Sequence, residues 1–454
     1  MLPSRRVFTL TALTAGLLMG CTQQQGVPSL NADRPGQVAQ RYDSVVSVPL
    51  QSGDTPGGLT NSLGGEVLAW NETDCVTAGT ESCFALLGMN GAHGAAAQRV
   101  QTLSAQRGRT VYMESNRDVF SGGGTLTATM GGSRGTWAGG DFLAWTGGSR
   151  GTWAGGVYNV VPENSQNWRK IRLEQAHKMA PNLGLGITVA VIDTGVDLRH
   201  SAFQGSLSDP STWRDFYAAD NVPQEEGTLG VGGYGHGTNV AGIVLQVAPK
   251  AKIMPLRVLG PDGSGDVATV ASAIDWATAK GARIINLSLG SDENSKVVQE
   301  AVARATAKNV LVVSSAGNAN QNQITYPAAI ATLKELNSNS LSVGSVDLND
   351  LKSSFSNYAS ELELVAPGEN VFAPAPGELL AAWSGTSQAA PMVTGGLALA
   401  LGQTLSVSLN DVTKKLAENA FDVYNNGANQ AYKDKLGVKG RLDLVEFLNS
   451  TIKY

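Results

Sequence analysis

The segment VAVIDTGVD, residues 189–197, is a continuous apolar run followed directly by an acidic turn. Short apolar runs of the same kind recur along the chain and alternate with segments of helical composition. The runs are KIMPLRVL (252–259), ARIINLSL (282–289) and NVLVVSS (309–315), and the helical segments are DVATVASAIDWATAK (266–280) and KVVQEAVARATAK (296–308). This alternation indicates an α/β fold in which helices cover both faces of a parallel sheet. Functional groups in such folds gather at the carboxyl ends of the strands.

Two candidate residues, Asp193 and His236, lie at segment ends of this kind. Asp193 directly follows an apolar run, and His236 lies between glycines in GYGHGTNVAG (233–242) at the start of a helical segment. Histidine is the side chain whose unperturbed pKa suits proton transfer near neutral pH. Taken singly, each residue has a structural explanation: a solvated turn aspartate and a packed histidine.

Two further candidates are Ser387 and Asn318. Ser387, in GTSQAAP (385–391), falls in the first turn of an apolar helical segment, where unpaired NH groups favour negative charge. Serine is also a common helix cap, so this position alone does not imply catalysis. Asn318 ends NVLVVSSAGN (309–318), and its amide can donate a hydrogen bond or simply close a turn.

The four segments together are specific. They are DTGVD (193–197), HGTNVAG (236–242), SSAGN (314–318) and GTSQAAP (385–391). In this order they resemble the subtilisin family, whose catalytic residues run Asp, His, Ser along the chain. The resemblance extends from about Trp168 to Phe447.

The resemblance implies a serine endopeptidase with a three-layer, subtilisin-like catalytic domain. Asp193, His236 and Ser387 would form the catalytic triad, and the Ser387 NH and the Asn318 amide would form the oxyanion hole.

The same comparison implies two extended segments between which a substrate pairs as an added strand. The residues concerned, with those that line the pocket for the residue before the scissile bond, are Gly263, Ser264, Gly265, Ser288, Leu289, Gly290, Ala316 and Gly317. None of these residues is charged, and backbone pairing carries little sequence preference. We therefore expect broad specificity with a preference for apolar residues.

Three departures from the family pattern limit this comparison. Asn239 replaces the second histidine of HGTHVAG, and Gln388 replaces the methionine of GTSMA. Ala202 stands where many secreted subtilisins have an acidic calcium ligand, and their calcium-binding loop is absent after HGTNVAGIVLQ (236–246). Since calcium needs six to eight oxygen ligands, we expect no cofactor and no high-affinity calcium site. A weaker calcium site is left open.

The amino terminus resembles an export signal. Arg5 and Arg6 precede a 13-residue apolar stretch at 7–19, which is shorter than the roughly 20 residues that span a bilayer. SRRVF (4–8) resembles a twin-arginine signal and LMGC (18–21) a bacterial lipobox, which implies that Cys21 is lipidated. We therefore predict a signal peptide over 1–21 and an exported protein, lipid-anchored at the cell envelope or extracellular. An ordinary secretory signal with an accidental cysteine is the alternative.

The remaining chain divides by composition into four parts. Residues 22–65 are polar and suggest a tether. Residues 66–120 contain strand-like EVLAW and TVYME around the helical AHGAAAQRVQTLSAQ and predict a small α+β module. Residues 121–165 form a Gly-rich linker that duplicates GGSRGTWAGG, and 166–450 form the catalytic domain. By position the module resembles a subtilase propeptide, which implies a zymogen cleaved between Ser121 and Arg172.

Cys75 and Cys83 are the cysteines left beside Cys21. In an exported protein so close a pair predicts a disulfide, with two buried free thiols as the alternative. No cysteine or histidine spacing matches a zinc site.

A net charge of −5 and a pI near 5.5 exclude the basic footprint of a nucleic-acid-binding protein. The expected partners are protein or peptide substrates, the chain's own propeptide and a membrane through the lipid anchor, and we expect a monomer. A catalytically silent subtilase that serves as a surface binding module is the alternative function. GVGGYG (230–235) fits a dinucleotide-binding pattern, but no strand leads into it, so we regard the match as accidental.

Overall fold

The computed structural model describes residues 42–72, 83–91, 93–121, 164–228, 231–333, 336, 339–403, 409–425 and 427–452. The predicted signal peptide with Cys21, the residue Cys75 and both copies of the duplicated segment lie outside these residues. Val38–Tyr454 forms one compact unit. Among the described residues, no helix combines the length and the apolar character needed to cross a membrane.

The amino-terminal part is an antiparallel α+β module. Its strands are β1 (Ser44–Pro49), β2 (Glu66–Asn71), β3 (Phe84–Met89), β4 (Tyr112–Ser115) and β5 (Asp118–Ser121), and its helices are α1 (Pro56–Leu63) and α2 (His93–Arg107). Four strands form a sheet in the order β2-β3-β1-β4. One face packs on the helices through an apolar core that includes Val46, Leu87 and Leu63.

The predicted tether over 22–65 is wrong for its second half. Residues 44–63 form β1 and α1, and β1 is an inner strand that pairs with both β3 and β4. Val45, Val46 and Val48 are fully buried. Burying such side chains stabilises the fold by about 1.5–3 kcal/mol each, so this segment belongs to the module rather than to a linker.

The carboxyl-terminal part, which the structure describes from Asn164 onward, is an α/β domain. Its helices are α3 (Ser165–Lys170), α4 (Leu173–Met179), α5 (His236–Val247), α6 (Val267–Ala279), α7 (Lys296–Ala307), α8 (Thr386–Gln403), α9 (Leu409–Glu418) and α10 (Leu444–Thr451). Its strands are β6 (Thr188–Asp193), β7 (Arg214–Asp215), β8 (Lys252–Arg257), β9 (Ser264–Asp266), β10 (Ile284–Leu287), β11 (Leu289–Gly290), β12 (Leu311–Ser315), β13 (Ser340–Val346), β14 (Leu364–Pro367), β15 (Val371–Ala375), β16 (Leu379–Trp383), β17 (Phe421–Asp422) and β18 (Gly440–Arg441).

Within the described part of the chain, nine strands form one sheet in the order β17-β18-β14-β13-β12-β10-β6-β8-β7. All pairs except β17 with β18 are parallel. Alternate residues of β6 enter different cores: Val189 and Val191 pack with α5 and α8, whereas Ala190 and Ile192 pack with α6 and α7. Helices therefore cover both faces, which confirms the predicted three-layer α/β fold.

A second, three-stranded sheet joins the two parts. Strand β5 of the module lies antiparallel between β9 and β11 of the α/β domain. These two strands lie beside the carboxyl edge of the large sheet, where β6, β10 and β12 end.

Candidate active site

Asp193 and His236 form a hydrogen-bonded pair at this edge. Asp193 is the last residue of β6, and His236 is the first residue of α5. Asp193 Oδ1 lies 2.7 Å from His236 Nδ1 and also accepts a hydrogen bond from the NH of Thr194 at 2.7 Å. Both side chains are inaccessible to solvent. A buried carboxylate on Nδ1 fixes the imidazole tautomer that leaves Nε2 as a base.

Ser387 lies in the first turn of α8, which packs against α5. Its hydroxyl donates to the carbonyl oxygen of Ser288 at 3.3 Å, and the Ser288 hydroxyl donates to the Ser387 carbonyl oxygen at 2.9 Å. His236 Nε2 is buried and has no hydrogen-bond partner among the described residues. The serine hydroxyl is thus held by a neighbouring carbonyl in this structure rather than by the imidazole. Bonds between nucleophile and base are often loose without substrate.

Asn318 lies beside the start of α8 and is oriented by Thr386. The Thr386 NH and hydroxyl both donate to Asn318 Oδ1, at 2.8 and 3.0 Å. Because Oδ1 is held in this way, the identity of the amide ends is fixed and the NH₂ group points away from Thr386. The Gly317 NH donates to the Thr386 hydroxyl at 3.1 Å, and Gly317 has a φ of +97°, which favours glycine. Ala316 precedes this turn and is fully buried.

The two predicted substrate segments flank the site. Ser264 and Gly265 in β9 pair with Phe120 and Val119 of β5. Leu289 and Gly290 in β11 pair with Ser121 and Phe120. Gly263 precedes β9 in a tight turn, and its NH donates to the Gly260 carbonyl. The cleft therefore holds a strand of this same chain in the place that the resemblance assigns to a substrate.

The two unusual residues of the family motifs contact each other. Gln388 Nε2 donates to Asn239 Oδ1 at 3.2 Å, and neither side chain is exposed. Gln388 Oε1 has no hydrogen-bond partner within the described segments. Asn239 and Gln388 thus form one amide pair next to Ser387, although they are far apart in the sequence.

Other predictions fall outside or beside the site. Cys83 is buried and disulfide-bonded, while Cys75 lies outside the described residues, so their pairing stays a prediction. Ala202 lies in a short turn after Asp193, and its NH donates to His200 Nδ1. The expected lack of a tight calcium site stays a prediction as well.

Sequence reasoning missed two residues that the structure brings to the site. Thr386 orients Asn318. The only sign of this in the sequence was its position directly before the candidate Ser387. Glu225, in VPQEE (222–226), is buried against the first turn of α5. A polar loop gave no sign that this carboxyl group is internal.

The chain is similar to known serine proteases over most of this domain. A sequence model described as "Subtilase family" matches residues 184–439, more than half of the chain. Subtilisin Savinase from Lederbergia lenta is 40% identical over 228 residues, covering 48% of this chain and 76% of that protein. Thermitase from Thermoactinomyces vulgaris is 38% identical over 250 residues, covering 53% of this chain and 83% of that protein. Among solved structures, a crystal structure of a cold adapted subtilisin-like serine proteinase matches with 32% sequence identity and a TM-score of 0.47. This match covers 53% of this chain and 84% of the proteinase chain.

The residues matched by the family model, 184–439, include the strands and helices that carry Asp193, His236, Asn318 and Ser387. The chain therefore belongs to the subtilase family of serine peptidases.

Proposed function

We propose that this chain is a serine endopeptidase of broad specificity in which Asp193, His236 and Ser387 form the catalytic triad. The observation that carries the proposal is the buried 2.7 Å contact between Asp193 and His236 at the start of α5, a helix that packs against α8 and its first-turn serine. An imidazole held by a carboxylate, with its other nitrogen unbonded, is the arrangement that a general base requires.

In the proposed mechanism the Ser387 hydroxyl leaves the Ser288 carbonyl and gives its proton to His236 Nε2 as its oxygen attacks the peptide carbonyl. Asp193 stabilises the imidazolium through Nδ1–H. The Asn318 NH₂ group and the Ser387 NH bind the oxyanion, and the imidazolium then returns the proton to the departing amine. Water repeats these steps on the acyl-enzyme and releases the second product.

A comparison of wild type with Ser387→Ala tests this proposal. We expect wild-type protein to hydrolyse casein and to be labelled at Ser387 by a fluorophosphonate probe, and the variant to do neither. An unlabelled, inactive wild-type protein would instead favour the silent binding module. Equal casein hydrolysis by both proteins would remove Ser387 from the mechanism.

We also propose that residues 42–121 act as an inhibitory propeptide, so that the enzyme is made as a zymogen. The contacts of Asn116, Arg117 and Glu114 at two helix starts support this. Asn116 Oδ1 and the Arg117 carbonyl accept hydrogen bonds from the NH groups of Ala268 and Val267 in α6. The Glu114 carboxylate accepts from two NH groups of α7. Helix starts carry unpaired donors and partial positive charge, which these groups satisfy.

The apolar contact between the parts supports the same reading. The face of the module sheet that carries Val45, Phe84 and Leu86 belongs to the apolar cluster that includes α6 and α7. Arg117 also pairs with Glu293 just before α7. Charge, helix capping and apolar burial thus coincide over one surface, as expected of a specific intramolecular inhibitor.

Strand β5 supports both the zymogen and the apolar preference. Val119 is 4% exposed and packs with Val267, Val270 and Leu289. The strand ends at Ser121, opposite Leu289. The residue before Leu289 is Ser288, whose carbonyl oxygen accepts the hydrogen bond from the Ser387 hydroxyl. We therefore expect self-cleavage within the first few bonds after Ser121, at the beginning of the Gly-rich linker. The apolar pocket that holds Val119 would select an aliphatic residue some positions before the scissile bond.

Replacement of Val119 tests the zymogen proposal. Val119→Asp places a charge in this apolar pocket, so we expect casein hydrolysis to begin at least about tenfold earlier after purification of the full chain. Thr110→Asp is the matched control, because it adds the same charge to an exposed position of the module. Identical lag times for the two variants would contradict the role of β5.

We further propose export and lipid anchoring through Cys21, as the lipobox resemblance implies. Expression in a bacterial host with labelled palmitate should place label and protein in the membrane fraction. Cys21→Ala should remove both, and label that persists in this variant would refute the assignment.

A further inference from the structure

Glu225 is a buried carboxyl group that the proposed mechanism does not use. It follows the loop after β7, and 3% of its surface is exposed. Its Oε1 accepts hydrogen bonds from the Thr194 hydroxyl and from the NH groups of Gly235 and Gly237, the latter two at 2.9 and 3.2 Å. Its Oε2 accepts from the NH and the hydroxyl of Thr238.

All five donors belong to the two segments that carry the acid and the base. Thr194 directly follows Asp193, and Gly235, Gly237 and Thr238 surround His236 at the start of α5. Gly235 precedes this helix with a φ of +95° and has no side chain to cap it. Glu225 therefore supplies from outside the cap that α5 lacks, and it ties this cap to the end of β6.

The two hydroxyl groups extend the connection. Thr194 Oγ1 accepts from the Gly237 NH at 2.9 Å while donating to Glu225. Thr238 Oγ1 accepts from the Asp197 NH at 2.8 Å while donating to the other carboxylate oxygen. One carboxyl group thus joins the backbone after Asp193 to the helix turn that carries His236.

The charge of Glu225 acts on the same pair. Five donors and no acceptor contact its oxygens among the described residues, an arrangement that favours the carboxylate. Burial opposes this: it raises the pKa of Glu225, as does the charge of Asp193. The hydroxyl donors and His236 lower the pKa, and the net result is a value of about 7.

Further titratable or charged groups surround Glu225. Asp193 faces it from β6, and His236 and Tyr234 face it from α5 and the preceding turn. Asp197 follows β6, and Arg257 of β8 contacts the neighbouring Gln224 carbonyl and Glu226 carboxylate. Among them only His236 can both gain a proton during catalysis and face Glu225 directly. A second carboxylate here favours the imidazolium that forms when Ser387 attacks.

We infer that Glu225 is a positioning residue that fixes His236 relative to Asp193 and supplies a second negative charge to the imidazolium. The inference rests on the proposed roles of Asp193 and His236. It adds to the proposed site a further side chain, remote from the substrate, on which the rate should depend.

A titration of His236 in the inactive Ser387→Ala background tests this without requiring peptidase activity. The imidazole carbon signals are followed by NMR against pH with Glu225 present and in Glu225→Gln. We expect the titration midpoint of His236 to be lower in Glu225→Gln, because a nearby negative charge is lost. Glu226→Gln, an exposed charge loss at the next residue, is the matched control and should move it much less. Equal midpoints in all three proteins would overturn the inference.

Kinetics in the active background provide the second arm. Glu225→Gln should lower kcat about tenfold or more with little change in KM, since no contact with substrate is lost. If this variant fails to fold, Thr194→Val removes one hydroxyl link at nearly constant volume, and Thr194→Ser restores it. We expect kcat to fall several-fold in the valine variant and to recover in the serine variant. Wild-type kcat in Thr194→Val, or a loss in Glu225→Gln that equals the unfolded fraction, would refute the inference.

Discussion

Glu114→Ala should loosen the module from the peptidase domain by a predictable amount. The Glu114 carboxylate accepts hydrogen bonds from the Ser295 hydroxyl and from the NH groups of Lys296 and Val297, and its side chain is 13% exposed. Hydrogen bonds to a charged group contribute about 1.5–3 kcal/mol. A loss of about 2 kcal/mol corresponds to roughly 30-fold weaker inhibition, since 1.4 kcal/mol is tenfold.

The assay is dilution of the self-cleaved, non-covalent complex. Peptidase activity appears as the module dissociates, and the concentration of half-recovery measures the inhibition constant. Glu72→Ala is the matched control, because Glu72 is an exposed acid of the same module whose carboxylate accepts a hydrogen bond from the Trp70 indole NH. We expect half-recovery about 30-fold higher in concentration for Glu114→Ala and unchanged for Glu72→Ala. Equal values for all three proteins would refute the capping argument.

Three further predictions concern the active site, the pH dependence and metals. Asn318→Ala should lower kcat by a factor of about 10² to 10³, the size known for one oxyanion donor in this family. Thr386→Val should lower kcat about tenfold, because the Asn318 amide loses the hydroxyl that orients it. Steady-state kinetics measures both variants, and wild-type rates would contradict these predictions. Because burial raises the pKa of Glu225 from 4.5 to about 7, its contribution to the free energy of unfolding is fully present below pH 4.5 and is lost as the pH rises to 7. Urea unfolding in the Ser387→Ala background should therefore show that, as the pH rises across this range, the free energy of unfolding of Glu225→Gln increases by roughly 3 kcal/mol relative to that of the protein with Glu225. Parallel plots of unfolding free energy against pH would disprove this. A chelator should leave the thermal midpoint nearly unchanged, whereas a fall of about ten degrees or more would reveal a tight calcium site.

The fold of the peptidase domain could be read from the sequence because its inner strands are buried and mostly apolar. β6, β10 and β12 are buried on both faces, so their composition alone distinguishes them from the flanking helices. Asp193 ends β6 and Asn318 lies in the turn that follows β12, which placed them at one edge. His236 and Ser387 begin helices after glycine-containing turns, and the family motifs supplied their roles.

The errors in the amino-terminal part have a common physical cause. β1 is short and lies among polar residues, and its partners β3 and β4 follow about 40 and 70 residues later. Pairing over such distances leaves little local signal. The same holds for β5, whose register between β9 and β11 depends on a different part of the chain.

The missed site residues have a related explanation. Glu225 reads as a loop acid because its partners, Thr194 and Thr238, lie 31 and 13 residues away in the chain. The Asn239 and Gln388 pair is separated by 149 residues. Neither contact follows a periodic pattern in the sequence, so only the three-dimensional structure reveals them.

The most direct test of the account is time-resolved intact mass of residues 22–454 beside the Ser387→Ala variant, with casein hydrolysis followed in parallel. We expect wild type to cut itself shortly after Ser121 before activity rises, and the variant to stay full length and inactive. Wild-type protein that stays intact and never cleaves casein would contradict it.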